Sequence, residues 1–257
     1  MKGLVKHSFM LLPILLLSAI TIFLCYKLYH RDERNKQSIM TIHESMTLNK
    51  GCSLDSTQYD VLCIGNSITK HAPYAGINWY SNHGMTASKP ENDYCHKLEE
   101  KLKKLNKNST VQGINISHWE CDFSVNKDSL LQEYCQGKEI IVIRLGENVT
   151  DTENFKNALS DLILYCKQYT DRIILTGQYW TNEKKEAAIV SNARLHNIKY
   201  VPIDWIYELY RTECSPKEGD SITDTKGDFY KIEGDFLLTH PNDCGMEMIA
   251  NTIYNSL

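Results

Sequence analysis

Apolar and polar positions divide the chain into three regions. Phe9 to Cys25 reads FMLLPILLLSAITIFLC and carries no charge. At about 17 residues it sits at the short end of what a spanning helix needs. Tyr26, Leu28 and Tyr29 extend it into an interfacial belt. The stretch runs into Leu24-Cys25-Tyr26-Lys27 and lacks the small residues a cleavable signal requires. An uncleaved membrane anchor is therefore expected over 1–29. His30 to Ser56 is polar and without a period, which predicts a stalk over 30–56. From Tyr59 onward, short apolar runs alternate with helical patterns. Strands are expected at Tyr59–Ile64, Val111–Ile116, Glu139–Leu145, Arg172–Thr176 and Lys199–Ile203. Between them, Tyr94, Leu98, Leu102 and Leu105 share one helical face behind a cap at Asn92 or Asp93. Further helices are expected at Lys127–Tyr134, Phe155–Tyr169, Glu183–His196 and Asp243–Leu257. Repeated β-α units with strongly apolar strands predict an α/β domain over 57–257. Its expected form is a three-layer α/β/α sandwich around a five-stranded parallel sheet.

Composition narrows the function. The net charge of -4 over 257 residues is mild. The one cluster of lysines, Lys101, Lys103 and Lys104, lies on a helix as a solvated face, so nucleic-acid binding has little support. The nine cysteines form no C-x-x-C pair and no zinc-like spacing. Cys63, Cys135 and Cys166 read as small core hydrophobes. A disulfide among the loop cysteines stays open. Lys27, Arg31, Arg34 and Lys36 follow the apolar stretch, and the positive-inside rule weakly places that side in the cytoplasm.

Three loops concentrate the candidate chemistry. The strand Val61–Ile64 breaks at Gly65-Asn66-Ser67. The run Ile140–Leu145 ends in Gly146-Glu147-Asn148. The last helix is preceded by His240-Pro241-Asn242-Asp243. In open parallel sheets, ligands bind outside the carboxyl ends of the strands. A serine hydroxyl becomes a nucleophile when a histidine takes its proton. The oxyanion of acyl transfer needs preorganised donors, which an asparagine amide and backbone N–H groups supply. Each residue also has a plain reading as cap, turn former or helix start. Together, in this order, they point to Ser67 as nucleophile, His240 as base and Asn148 as oxyanion donor.

From about Tyr59 to its end the chain resembles the SGNH/GDSL hydrolase superfamily. Gly65-Asn66-Ser67-Ile68-Thr69 matches the nucleophile block, Gly146-Glu147-Asn148 the G-x-N block, and His240-Pro241 the late histidine block. The resemblance implies a flavodoxin-like fold and ester hydrolysis through an acyl-enzyme on Ser67. Two departures stand out. The family carries an aspartate three residues before the histidine, where this chain has Leu237. Asp235 is a candidate for orienting His240, and Asp243 reads more readily as a helix cap. The remaining reading is a Ser-His dyad whose ring is held by a backbone carbonyl. The family also uses a glycine after the second strand to complete the oxyanion hole. This chain has Asn115-Ile116-Ser117-His118-Trp119-Glu120, so a backbone N–H of Ile116 or Ser117 would have to serve.

Specificity is expected from the loop His71–Pro90, whose rings and amides suit a sugar or else fill the loop's own core. Asn66, Trp79, Asn82, Glu147 and Tyr179 count as candidate substrate contacts. Arg144 is expected to pair with Glu120 or Glu147. The polar segment Arg211–Thr239 reads as a lid or a surface excursion. The combined expectation is a membrane-anchored O-acyl esterase acting on an acylated carbohydrate, its domain outside the cytoplasm, with no metal or organic cofactor. The same site also fits an O-acyltransferase. A non-catalytic glycan-binding or scaffold protein on a degenerate hydrolase fold is the third reading.

Overall fold

Strand β1 (Asp60–Gly65) lies inside the sheet, and every residue from Val61 to Gly65 is buried. A computed structural model describes residues 58–257 of the chain. The expected anchor and stalk lie outside the described residues. Among those described, no helix is long and apolar enough to cross a membrane.

β1 pairs in parallel with β2 (Thr110–Asn115) on one side and β3 (Ile140–Ile143) on the other. Val61 stands opposite both Val111 and Ile140. β4 (Ile173–Thr176) and β5 (Lys199–Val201) extend the sheet beyond β3, also in parallel. The order is β2-β1-β3-β4-β5. It reverses direction between β1 and β3, which opens a crevice at their carboxyl ends.

Side chains alternate across the strands and divide the core in two. Leu62, Ile64, Ile141 and Ile143 pack with Phe155, Leu159 and Leu162 of α4 (Thr152–Cys166) and with Ala188 and Ile189 of α5 (Glu183–Leu195). Trp119 of α2 (Ser117–Cys121) and Leu131 of α3 (Lys127–Cys135) join that layer. On the opposite face, Val61, Cys63, Ile140 and Val142 meet Tyr94, Leu98 and Leu102 of α1 (Tyr94–Lys103). Ile206 of α6 (Asp204–Cys214) and Met246, Ile249 and Ile253 of α8 (Asp243–Tyr254) complete that layer. The result is the three-layer α/β/α sandwich with a five-stranded parallel sheet.

The helix starts follow the chain's short polar residues. Asp93 accepts from His96 N, Asp151 from Asn154 N, Asn182 from Lys185 N, and Asn242 from Cys244 N and Gly245 N. Each supplies an acceptor to an otherwise unpaired first-turn donor. Asp243 is therefore not the cap of α8. Its carboxylate accepts from Ser88 N, Ser88 Oγ and Asn92 Nδ2 at 2.6–2.8 Å and ties the loop after β1 to the last helix.

The segment after α6 has secondary structure of its own. It holds the antiparallel hairpin β6 (Ser221–Thr223) and β7 (Phe229–Lys231), then the short helix α7 (Asp235–Leu238). Ile222, Ile232 and Leu237 bury against Trp79 and Met85 as a third apolar cluster. Thr223 N donates to Ser88 O, and Ser81 Oγ donates to Thr223 O. Two polar stretches far apart in sequence thus share one core. The seven described cysteines all carry free thiols, with the Cys214 and Cys244 sulfurs 3.2 Å apart.

Candidate active site

Ser67 owes its position to the turn that ends β1. Thr69 N and Lys70 N both donate to Asn66 O, at 2.9 and 3.0 Å, and close the chain tightly after Gly65. A Cβ on Gly65 would lie 1.9 Å from Thr69 Oγ1, so the turn requires glycine there. The turn lifts Ser67 to the carboxyl end of the sheet beside the β1–β3 crevice. Its Oγ lies 3.1 Å from His240 Nε2.

His240 follows α7 and is 2 % exposed. Its Nδ1 lies 3.1 Å from the carbonyl oxygen of Phe236. A carbonyl only accepts, so Nδ1 carries the proton and Nε2 presents its lone pair to Ser67. The short helix α7 leaves its last carbonyls without intrahelical partners, and Phe236 supplies one of them. The Trp180 and Phe236 rings each lie with centroids 5.0 Å from the imidazole. Trp180 Nε1 donates to Thr239 O. Behind the ring, Thr86 Oγ1 donates to Pro241 O, and Asn242 Nδ2 donates to Glu213 O and Ser215 O. Burial lowers the imidazole to about 4. The Phe236 carbonyl and Glu147 oppose the shift, while Arg144 and His71 add to it. The ring is thus neutral near pH 7 and free to accept a proton.

Asn148, in the loop after β3, lines the same cavity of about 300 Å³ as Ser67 and His240. Its Nδ2 donates one hydrogen to Glu120 Oε2 at 2.7 Å. An amide nitrogen has two hydrogens, so one remains for a ligand. The Ser67 N–H donates to no acceptor among the described residues. The backbone groups expected to complete an oxyanion hole are otherwise engaged: Ile116 N donates to Gly65 O and Ser117 N to Asn115 Oδ1. Under this floor lies a buried charge network. The Arg144 guanidinium pairs with Glu147 at 2.6 Å and donates to Asn66 Oδ1, and Asn66 Nδ2 donates to Glu147 and Glu120. Burial pushes the Glu120 carboxyl up, with Glu147 adding to it. Burial also works against ionised Glu147, but Arg144 and the donors Tyr179 N and Asn66 Nδ2 outweigh it and hold that carboxyl below its usual range.

Ser67, His240 and Asn148 therefore meet around one cavity. The other candidates from the sequence do not join them. Asp235 is exposed at the start of α7, and the Nδ1 it was expected to orient faces Phe236 O instead. Asn66 is fully buried and spends its amide on Arg144, Glu120 and Glu147. The Glu147 side chain is 3 % exposed and serves Arg144. Trp79 lies in the third apolar cluster and donates Nε1 to His71 O, so its ring packs the loop rather than facing a ligand. Asn82 borders a separate depression beside Pro90, His96 and Gln112. Tyr179 is buried against Trp180 and Tyr207. The cavity walls are instead Trp180, Tyr207, Phe236 and Thr239. Of the neighbours Tyr179 and Trp180, both expected on the rim, Trp180 lines the cavity and Tyr179 packs behind it. Phe236, four residues before His240, was within reach of a helical reading of that segment. Tyr207 gave no signal without α6. Among the described residues, no group of three or more His, Cys, Asp or Glu is placed to hold a metal ion.

No protein-family model matches the chain, and no curated protein matches it in sequence. Solved structures do match in fold. One is an alpha/beta hydrolase enzyme from the metagenome of Lake Arreo, Spain, with a TM-score of 0.54 and 15% identity over 77% of this chain and 95% of that one. Another is an acetylxylan esterase from Geobacillus stearothermophilus, with a TM-score of 0.50 and 15% identity over 79% and 94%. A third is a two-domain esterase active on acetylated mannans, with a TM-score of 0.51 and 18% identity, covering 76% of this chain and 48% of that one. At these identities the likeness concerns the fold.

Proposed function

We propose that the protein is an SGNH-type serine esterase that removes O-acyl groups, acetyl in the first place, from a carbohydrate. The observation that carries this reading is the 3.1 Å contact between Ser67 Oγ and a buried, neutral His240 at the carboxyl end of β1. In the reaction, Ser67 Oγ attacks the ester carbonyl as Nε2 takes its proton. The oxyanion is met by the Ser67 N–H and the free hydrogen of Asn148 Nδ2. The intermediate collapses when His240 passes its proton to the leaving sugar alkoxide. Water then attacks the acyl-enzyme, with His240 again as base. The Phe236 carbonyl fixes the tautomer, as an acid would, but carries no full charge to stabilise the imidazolium. The site is thus a dyad held by the backbone.

Three rings favour a sugar. Trp180, Tyr207 and Phe236 wall the cavity, and aromatic faces stack on the C–H faces of pyranose rings. The acetylxylan and acetylated-mannan esterases that share the fold fit the same substrate class. The apolar stretch over 9–25 would tether the domain to a membrane, with the site facing extracytoplasmic glycan.

The test incubates full-length protein with a chromogenic acetyl ester and with an acetylated xylooligosaccharide, beside Ser67→Ala. Serine-dependent acetate release from both is expected. If acetate stays bound to a second sugar, the site is a transferase. If neither ester is turned over while the oligosaccharide binds, the protein is a glycan-binding module.

A further inference from the structure

The sequence offered Glu120 only as a partner for Arg144, and that pair is made by Glu147 instead. Glu120 sits on α2, in the loop region after β2, and is 1 % exposed. Among the described residues, every hydrogen-bond partner of its carboxylate is a donor. Oε1 accepts from Gly146 N at 2.5 Å and more loosely, at 3.4 Å, from Asn148 N and Asn66 Nδ2. Oε2 accepts from Asn148 Nδ2 at 2.7 Å and Asn66 Nδ2 at 3.2 Å. These donors cannot be turned round. Gly146 N and Asn148 N are backbone. The Asn66 oxygen is already claimed by Arg144 and Ile68 N, so its nitrogen must face the carboxylates. A protonated acid would present a donor to this ring of donors, whereas an ionised carboxylate accepts through both oxygens. Burial and the nearby Glu147 carboxylate work against ionisation, while the Gly146 N and Asn148 Nδ2 donors and the Arg144 guanidinium favour it.

We propose that Glu120 is a positioning residue for Asn148: as an ionised carboxylate it decides which end of the Asn148 amide faces the cavity. An asparagine amide is nearly symmetric in shape and turns over at little steric cost. Only its hydrogen-bond partners distinguish oxygen from nitrogen. With Glu120 at 2.7 Å, the nitrogen is pinned toward the carboxylate, and its second hydrogen is left for the oxyanion. The same carboxylate holds the Gly146 amide, so the loop bearing Asn148 and the side chain itself are fixed together. In the segment after β2, where the resembled family uses a glycine N–H for the oxyanion, Ile116 N and Ser117 N are engaged elsewhere, and Glu120 acts through the Asn148 amide instead.

The proposal rests on the esterase reading, and the test separates the two. Glu120→Gln keeps the shape but turns one acceptor into a donor. It either sets two donors against each other or turns the Asn148 amide over, and both displace the cavity-facing N–H. Kinetics on the chromogenic ester are compared for wild type, Glu120→Gln, Asn148→Ala and the double variant. Loss of one oxyanion donor costs about 10²–10³-fold in kcat. A kcat fall of that order is expected for each single variant, with little change in KM, and the double variant should match Asn148→Ala alone. A Glu120→Gln effect that multiplies the Asn148→Ala effect, or that falls on KM, overturns the proposal. The second arm needs no turnover. In the ¹⁵N spectrum of asparagine-labelled protein, assigned with Asn148→Ala, one Asn148 Nδ2 proton should lie well downfield of its geminal partner and return in Glu120→Gln. Two ordinary amide protons in the wild type overturn the assignment whether or not the protein hydrolyses esters. That wild-type spectrum decides alone if Glu120→Gln does not fold.

Discussion

The burial of His240 sets the pH at which the site works. The ring is 2 % exposed, and its desolvation outweighs the help of the Phe236 carbonyl and Glu147. Protonation therefore waits until about pH 4 in place of the usual 6.5. At pH 5 an imidazole titrating at about 4 is roughly nine-tenths neutral, while one at about 6.5 is roughly 3 % neutral, a difference of about 30-fold in competent enzyme. The assay is kcat/KM for a chromogenic acetyl ester between pH 3.5 and 8, which reports the ionisations of the free enzyme. The acid limb should fall near pH 4. Trp180→Ala, which opens one side of the ring to water, should move that limb back toward 6.5. A wild-type limb at 6.5 or above would refute the burial argument, as would a limb indifferent to Trp180→Ala. The same shift enters stability, with a definite sign. The unfolded chain binds this proton near 6.5 and the folded chain only near 4, so the fold loses stability as pH falls through that window and none above it. The full span is on the order of 3 kcal/mol. Urea unfolding of wild type against His240→Gln, at pH 7 and pH 4, isolates that contribution from the carboxylates.

Two other perturbations distinguish the observed roles from those expected of the sequence. Asp235→Asn should leave kcat/KM within about twofold, because loss of a true orienting acid costs about 10⁴-fold; steady-state kinetics on the chromogenic ester decide it. Trp79→Ala should act on stability, removing about 3–5 kcal/mol by emptying the cluster shared with Ile222, Ile232 and Leu237. Urea denaturation reads that loss, and a rise in KM without a loss of stability would restore Trp79 as a substrate contact.

The sheet was legible because its strands are buried on both faces. Val61–Ile64 and Ile140–Ile143 are continuous apolar runs bounded by turn residues, and such runs mark parallel strands under helices. The cap at Asp93 placed the start of α1, whereas α4 starts three residues before the expected Phe155, and α4 and α8 end three residues short of the expectation, at Cys166 and Tyr254. Helix α6 escaped because Trp205, Ile206, Tyr207 and Tyr210 are weak helix formers, and the helix is broken at Tyr210. The hairpin β6–β7 escaped because its strands are three residues each and draw stability from Trp79 and Met85, more than a hundred positions away. The same long-range packing explains the misplaced substrate contacts. An aromatic in a polar loop reads as a ligand platform until another loop is known to cover it.

Position 237 shows why the backbone, and not an acid, holds the histidine. Leu237 is fully buried in the third cluster, facing Trp79, Met85, Ile222 and Ile232. A carboxylate there would enter apolar surroundings, with a desolvation cost that only a close partner could offset. The His240 ring lies on the other side of the segment, against Trp180 and Phe236. One side chain cannot both seal the insert's core and reach the imidazole. The segment resolves the conflict by its secondary structure. It turns once as α7, packs Leu237 inward, and leaves the Phe236 carbonyl aimed at Nδ1. Tautomer and orientation are then supplied without a buried charge. The imidazole is correspondingly a weak base, beside an Asn148 amide that Glu120 holds in place.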